Sequence, residues 1–235
     1  SRSGVRLTAH GRLALEHCER IYREGLDLKA AFDGEPRETP IRLAACHSVP
    51  HERLIRMAEF TRNNLPGVPL RFYSGTTNDL GARLRSGTLD LVISDGDLAA
   101  ASPGALTRRK ACSELMDFLA APQLREAMGA FPAGLSKVPL LLRAPGDPVR
   151  LETERFLQRH GIRAKVHAEV ESPDLIRSLA TLGEGAGVMN SAMATEPLAK
   201  GQLVTLNERP TGIRRDLWLV RQRAAPLSRN LAGFL

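Results

Sequence analysis

From residue 41 onward, apolar positions come in short bursts that alternate between two spacings. Short continuous runs, such as Leu43-Ala44-Ala45-Cys46 and Leu140-Leu141-Leu142, read as strands. Between them lie segments whose apolar residues recur every three or four positions, as on one face of a helix. The pattern predicts a strand over 41–46, a helix over 49–63 ended by Leu65-Pro66-Gly67, and a strand over 69–74. A helix over 78–85 stopped by Gly87 and a strand over 89–94 follow. Two further strands are expected near 106–112 and 115–120. The rhythm then restarts with a strand over 139–143, a helix over 148–160 closed by Gly161, a strand over 163–170, a helix over 173–182 and a strand over 186–190. A last strand over 215–221 and a helix from Pro226 form a tail without a sheet of its own, expected to return to the first unit. Right-handed crossovers make each βαβαβ run a mostly parallel sheet with helices on its faces. Two α/β units visited in this order are joined by a two-strand crossover, which acts as a hinge and leaves a cleft at the strand ends.

The first thirty-odd residues differ. Ala14, Cys18, Ile21, Gly25, Leu28 and Phe32 advance by steps of four and three, the spacing of a coiled-coil seam, and Leu15 and Tyr22 widen the stripe. Thr8 is placed as the N-cap and Gly34 as the stop. Such a seam calls for a partner helix and so for a dimer through Ala14, Cys18, Ile21, Leu28 and Phe32. The alternative is an amphipathic helix packed on its own domain.

Composition narrows the function classes. The chain has 235 residues, 43% of them hydrophobic, enough for a helix plus one large or two small α/β domains. No apolar run reaches the length of a membrane span and no signal-peptide pattern opens the chain, so no membrane partner is expected and a cytoplasmic location is. Cys18, Cys46 and Cys112 are far apart, which argues against a disulfide framework or a metal site. A formal charge of +7 is compatible with nucleic-acid association, yet the basic residues are scattered. No nucleophile, base and oxyanion donor come together, so no enzyme activity and no cofactor are expected.

Candidate ligand residues sit where strands end and helices begin: Cys46-His47-Ser48, Ser74-Gly75-Thr76-Thr77, Ser94-Asp95-Gly96-Asp97, Pro145-Gly146-Asp147 and Ser172-Pro173-Asp174. Helix N-termini carry unpaired N–H groups and partial positive charge, so several aimed at one cleft suit an anion or carboxylate. Routine capping is the better explanation of each residue taken alone, and only their shared location in a cleft raises the functional reading. Gly183-Glu184-Gly185-Ala186-Gly187 follows a helix and precedes a strand, the reverse of a dinucleotide loop, and reads as a helix stop with close packing. Cys46 is expected in the core and His47 in the cleft lining or on the surface, because neighbours in a strand point to opposite faces.

Arg2-Ser3-Gly4-Val5-Arg6-Leu7-Thr8-Ala9-His10-Gly11 resembles the junction in LysR-type transcriptional regulators where the wing of the DNA-binding domain enters the linker helix. The segment closing on Gly87-Thr88-Leu89-Asp90-Leu91-Val92-Ile93 is similar to that family's helix-Gly-x-Leu-Asp-strand signature, and Gly185-Ala186-Gly187-Val188 matches a late strand of its second subdomain. Phe131-Pro132-Ala133-Gly134-Leu135 and Gly161-Ile162-Arg163 look most like the sodium-responsive activators of sodium/proton antiporter genes. The resemblance implies two Rossmann-like subdomains of the type II periplasmic-binding-protein architecture, preceded by a long linker helix. It implies residues 1–34 as wing end and dimerisation helix, 35–121 with 205–235 as subdomain I, and 122–204 as subdomain II. A small-molecule or ion effector would lie against His47, Ser48, Thr76, Thr77, Ser94 and Asp95 on one side and Gly146, Asp147, Ser172 and Asn190 on the other. The partners it implies are a second copy, as dimer or tetramer, and DNA only through a winged helix-turn-helix expected ahead of Ser1. A solute-binding protein of the same fold is the competing reading, and it leaves the helical seam unexplained.

Overall fold

The structure, a computed structural model, describes residues 8–32, 40–99 and 103–223. Helix α1 spans Ala9–Phe32, and Thr8 caps it by accepting the Gly11 N–H at 3.0 Å. The expected stop at Gly34, the residues before Thr8 and the expected helix from Pro226 lie outside the described residues.

The first sheet contains β1 (Ile41–Cys46), β2 (Leu70–Gly75), β3 (Leu91–Ser94), β4 (Leu106–Leu115) and, from the end of the chain, β10 (Arg214–Gln222), in the order β2-β1-β3-β10-β4. β1 pairs in parallel with β2 and β3, whereas β10 runs antiparallel to β3 and β4. Helices α2 (His51–Asn64) and α3 (Thr77–Arg85) cover its faces. Leu80 and Leu84 of α3 pack with Ala44, Val92, Leu217 and Val220 on one face. Met57 of α2 packs with Ile41, Leu43 and Leu91 on the other. Burial on both faces is the physical reason β1 and β3 are apolar without alternation. The Gly-x-Leu-Asp signature also has a structural role. Gly87 turns the chain at φ +70°, and Asp90 then accepts the Arg42 N–H at 2.8 Å and its Nε–H at 2.9 Å, pinning β3 beside β1.

The second sheet repeats this plan. β5 (Asp117–Ala120), β6 (Pro139–Arg143), β7 (Lys165–Val170), β8 (Ala186–Met189) and β9 (Val204–Thr205) stand in the order β7-β6-β8-β5-β9, with β6 parallel to β7 and β8 and with β5 antiparallel to β8 and β9. Helix α4 (Pro122–Met128) follows β5, α5 (Pro148–Arg159) follows β6, α6 (Pro173–Leu182) follows β7, and α7 (Thr195–Ala199) precedes β9. Phe118, Phe131 and Phe156 meet at centroid distances of 5.4–5.8 Å on one face, and Ile176 and Ala180 of α6 pack on Leu141 from the other. The glycine run is a helix stop with close packing, as expected: Gly183 ends α6 in the left-handed conformation, and a Cβ on Gly187 would meet Ile176 Cγ2 at 2.5 Å.

The sheets differ from the sequence reading in two respects: β9 is an edge strand that the pattern does not predict, and β5 changes sheet. β5 is a strand of the second sheet, so the first crossing falls between Leu115 and Asp117 rather than after residue 121. Its partners Gly187 and Val188 lie some seventy residues on, and local pattern carries no trace of such pairing. The return crossing runs alongside: Leu115 pairs with Arg214, the Met116 N–H donates to the Ile213 carbonyl at 3.0 Å, and the Thr211 hydroxyl donates to the Met116 carbonyl at 2.6 Å.

Candidate functional site

The parallel strands of both sheets deliver their C-terminal ends to one crevice, where a cavity of about 450 Å³ opens. His47 and Ser48 follow β1, Gly75, Thr76 and Thr77 follow β2, and Asp95 and Gly96 follow β3. Facing them, Arg143 ends β6, 144–148 form the turn into α5, and Glu171 follows β7. A smaller cavity of about 270 Å³ adjoins it, lined by Cys46, His47, Val49, His51, Ser74, Glu171 and Ser172.

Of the ten residues expected from the sequence, His47, Ser48, Thr76, Thr77, Asp95, Gly146 and Asp147 line the larger cavity, and Ser172 lines the smaller one with His47. Two are placed elsewhere. Ser94 is fully buried behind the wall: its hydroxyl takes a bond from the Cys46 thiol at 3.3 Å, donates to the Gly96 carbonyl and accepts the Gly96 N–H, both at 3.0 Å. That knot shapes the turn presenting Asp95. Asn190 caps the 3-10 turn after β8 and donates from Nδ2 to the Leu115 carbonyl at 2.9 Å, which makes it an anchor of the crossover. Cys46 is buried as expected, although it also reaches the cavity wall, and burial pushes its thiol above the ordinary value.

Arg143 is the functional candidate that the sequence reading missed. Its side chain is only 4% exposed, at the end of the Leu140-Leu141-Leu142 run. Nε and Nη2 donate to Asp147 Oδ2 at 2.9 and 2.8 Å, and Nη2 also reaches across the crevice to the Ser48 carbonyl at 3.2 Å. The one signal available was Asp147, an α5 N-cap accepting the Val149 and Arg150 N–H groups, four residues after a lone arginine closing an apolar strand. Ser48 is a meeting point. Its hydroxyl donates to Asp95 Oδ1 at 2.5 Å and its carbonyl also accepts Arg215 Nη1 at 3.4 Å. Arg215 of β10 is held by Glu114 of β4 through Nε at 3.1 Å and Nη2 at 2.5 Å, and Arg53 of α2 closes on the other Glu114 oxygen. A second contact bridges the crevice: the His51 N–H donates to Asp174 Oδ2 at 3.2 Å.

Two polar atoms in this crevice are buried and lack a hydrogen-bond partner among the described residues, Asp95 Oδ2 and Arg143 Nη1. Burial raises the Asp95 carboxyl above the ordinary carboxylate value. The Ser48 hydroxyl opposes that rise, the Asp147 charge adds to it, and Arg215 and Arg143 pull against it. Among the described residues there is no group of three or more acidic, His or Cys side chains placed to hold a metal.

The LysR substrate-binding domain family model matches residues 34–235. The chain belongs to this family. Its members supply the frame just described: two subdomains of type II periplasmic-binding-protein fold. The chain is 23% identical over 234 residues to the HTH-type transcriptional regulator CbbR of Rhodospirillum rubrum, a match covering 97% of this chain and 77% of that one. It is 29% identical over 104 residues to the RuBisCO operon transcriptional regulator of Acidithiobacillus ferrooxidans, covering 44% of this chain and about a third (34%) of that protein. Among solved structures, the cofactor-binding domain of the Cbl transcriptional regulator superposes with a TM-score of 0.69 at 19% identity, over 85% of this chain and 87% of that one. Among the described residues, no helix of this LysR-family chain is long and apolar enough to cross a membrane.

Proposed function

We propose that this chain is the effector-sensing and dimerising region of a LysR-type bacterial transcriptional regulator, and that a small ligand in the crevice controls how the intact regulator meets DNA. The single observation carrying the reading is the pair of buried, unpartnered atoms, one from each side of a cavity at the strand ends of two sheets. Burying a donor or acceptor unsatisfied costs about 1–3 kcal/mol, and a ligand that answers both recovers it only when the two subdomains are arranged around it. His47, Ser48, Thr76, Thr77, Asp95, Gly146 and Asp147, with the addition of Arg143, are the proposed contacts, and Ser172 serves an extension of the ligand into the smaller cavity. Among the described residues, subdomain I takes 40–99 and 103–115 with 214–223, and subdomain II takes 117–205. The antiporter-regulator likeness is no part of the proposal.

Self-association is proposed through α1. Ala14, Cys18, Ile21, Leu28 and Phe32 are all exposed, Ile21 at 68% and Phe32 at 82%. An apolar seam this open on a 24-residue helix is what a second copy would cover. Sedimentation velocity on the chain should show a dimer or larger species that Leu28→Asp dissociates, and a monomer at micromolar concentration would remove this part of the proposal. For the crevice, a thermal-shift screen should yield a stabilising small molecule whose effect is lost in Gly96→Leu. A Cβ on Gly96 is tolerated, with nothing nearer than Ser94 Oγ at 3.8 Å, so that variant blocks the cavity without overlap at its root. At a hundred times its Kd such a ligand adds about 2.7 kcal/mol. Stabilisation that survives the block places the ligand elsewhere.

A further inference from the structure

The chemistry of the two unpartnered atoms also limits what the ligand can be, an inference that rests on the crevice being the effector site. Arg143 Nη1 is a cationic donor without an acceptor; Asp95 Oδ2 is a carboxyl oxygen without a donor. Of the other charged groups around the two atoms, all but Glu171 are already engaged. Asp147 accepts from both Nε and Nη2 of Arg143 and from two backbone N–H groups of α5, and Arg215 is held by Glu114. With Asp95 ionised, a simple anion would satisfy Arg143 and leave Asp95 unanswered beside it, and a simple amine would do the reverse. Each half-match keeps one buried polar group desolvated without a bond, the circumstance in which a site discriminates most strongly.

We propose that the crevice selects a small organic acid that also carries a hydrogen-bond donor, a hydroxyl or ammonium group, with the acid on Arg143 Nη1 and the donor on Asp95 Oδ2. Thr77 opens α3, a nine-residue helix, against the same cavity; the Thr76 hydroxyl takes the Asp79 N–H, which leaves the Thr77 and Asn78 N–H groups, without an acceptor in the helix, as a second anchor for the acid's remaining oxygen. A hydroxyl suits Asp95 in either protonation state because it both donates and accepts, whereas an ammonium group requires the ionised form. The Glu171 carboxylate, on the same wall, disfavours ligands with acid groups at both ends.

The test measures binding of butyrate, its 2-, 3- and 4-hydroxy derivatives and its 2-, 3- and 4-amino derivatives to the 235-residue chain by ligand-observed NMR, which reaches millimolar affinities. The series scans the spacing between acid and donor and separates hydroxyl from ammonium. At least one derivative should bind about ten- to a hundredfold more tightly than butyrate, the worth of one charge-assisted hydrogen bond. In Asp95→Asn that advantage should fall to within about threefold while butyrate binding persists. Arg143→Lys, which keeps the charge beside Asp147 and loses the third arm of the fork, should weaken every probe. If Arg143→Lys fails to fold, the Asp95→Asn arm decides by itself. Derivatives all within about threefold of butyrate, or an advantage unchanged in Asp95→Asn, would overturn the proposal. So would failure of every probe to bind; the effector reading then survives only if another molecule stabilises the chain in a Gly96-dependent way, and it falls with the proposal if none does.

Discussion

Glu114→Gln should be among the most damaging single changes in this chain. Glu114 and Arg215 are 4% and 3% exposed, on the antiparallel strands β4 and β10 just before and after the crossing between subdomains. The carboxylate engages Arg215 through two bonds and Arg53 through its other oxygen. Neutralising it leaves the Arg215 guanidinium buried without a counter-charge, and breaking a buried pair from one side costs about 3–5 kcal/mol. The Arg53 contact adds little, because that side chain is 27% exposed and water screens it. For a protein of this size each kcal/mol moves the melting temperature by about 2–4 °C, so Glu114→Gln should melt about 6–20 °C lower. Circular dichroism melts and urea titrations would read the change. The double variant Glu114→Leu/Arg215→Leu is the control: replacing both partners with apolar residues is often close to neutral, so it should recover at least half of the loss. A Glu114→Gln penalty below about 1 kcal/mol, or a double variant worse than the single, would refute this account of the network.

Three further outcomes are expected. Asp95 has a raised folded-state pKa, so between about pH 4 and that raised value the folded protein holds a proton that the unfolded chain has released. Its contribution therefore stabilises at low pH and is lost as pH rises through that window; melts against pH should show a falling component that Asp95→Asn removes, and an identical profile in the variant would show that Asp95 does not titrate this way. Gly134→Ala should cost about 1–3 kcal/mol, because its Cβ would overlap the Met128 carbonyl oxygen, a backbone atom that cannot rotate away; urea denaturation would measure it, and a neutral result would show that the turn relaxes freely. Phe118→Ala, at the centre of the Phe118, Phe131 and Phe156 cluster, should cost about 3–5 kcal/mol by the same measurement, and less than 2 would mean that the cluster collapses into the space.

The legible parts of the fold are those with local chemistry at both ends. β6 and α6 begin and end where the sequence reading put them. β6 is a buried run started by Pro139, and α6 has the Ser172 cap, Pro173 at its first position and Gly183 in the left-handed conformation at its end. α7 and β9 left no comparable mark, and α4 has only Pro122 at its first position and Gly129 at its end. The three have five, two and seven residues, too few for a period to show, and neither Ala121 nor Ala194 offers a capping side chain. At the site, capping logic located residues ahead of helices, which is why Thr76, Asp147 and Ser172 were found. It misplaced Ser94, whose hydroxyl turned inward, and Asn190, which the crossover uses. Arg143, Arg215 and Glu114 were invisible for another reason. Each lies within a strand, and its meaning comes from a partner brought close by pairing or by the opposing sheet: Ser48 for both arginines, and Arg215 for Glu114.

The convergence on Ser48 gives the crevice its mechanical sense. Its carbonyl accepts from Arg143, which belongs to the second sheet, and from Arg215, which belongs to the crossover, while its hydroxyl orients Asp95. A ligand acid on Arg143 Nη1 displaces none of these bonds, since Nε and Nη2 make them, so occupancy adds to the cross-crevice contact instead of competing with it. On the proposed reading, a ligand bonded to both Asp95 and Arg143 would favour the arrangement of the two walls that the structure shows, because the two groups stand on opposite sides of the cavity. Arg215 ties Ser48 to β10 and, through Glu114, to β4, the two strands of the first sheet that flank the crossings. A change in closure must then be accommodated at Met116, Thr211 and Ile213, where the crossing strands are bonded to each other. On that reading, binding energy gained in the crevice would be tied to the geometry of the crossing segments, which is the differential interaction that a ligand needs in order to shift a two-state equilibrium.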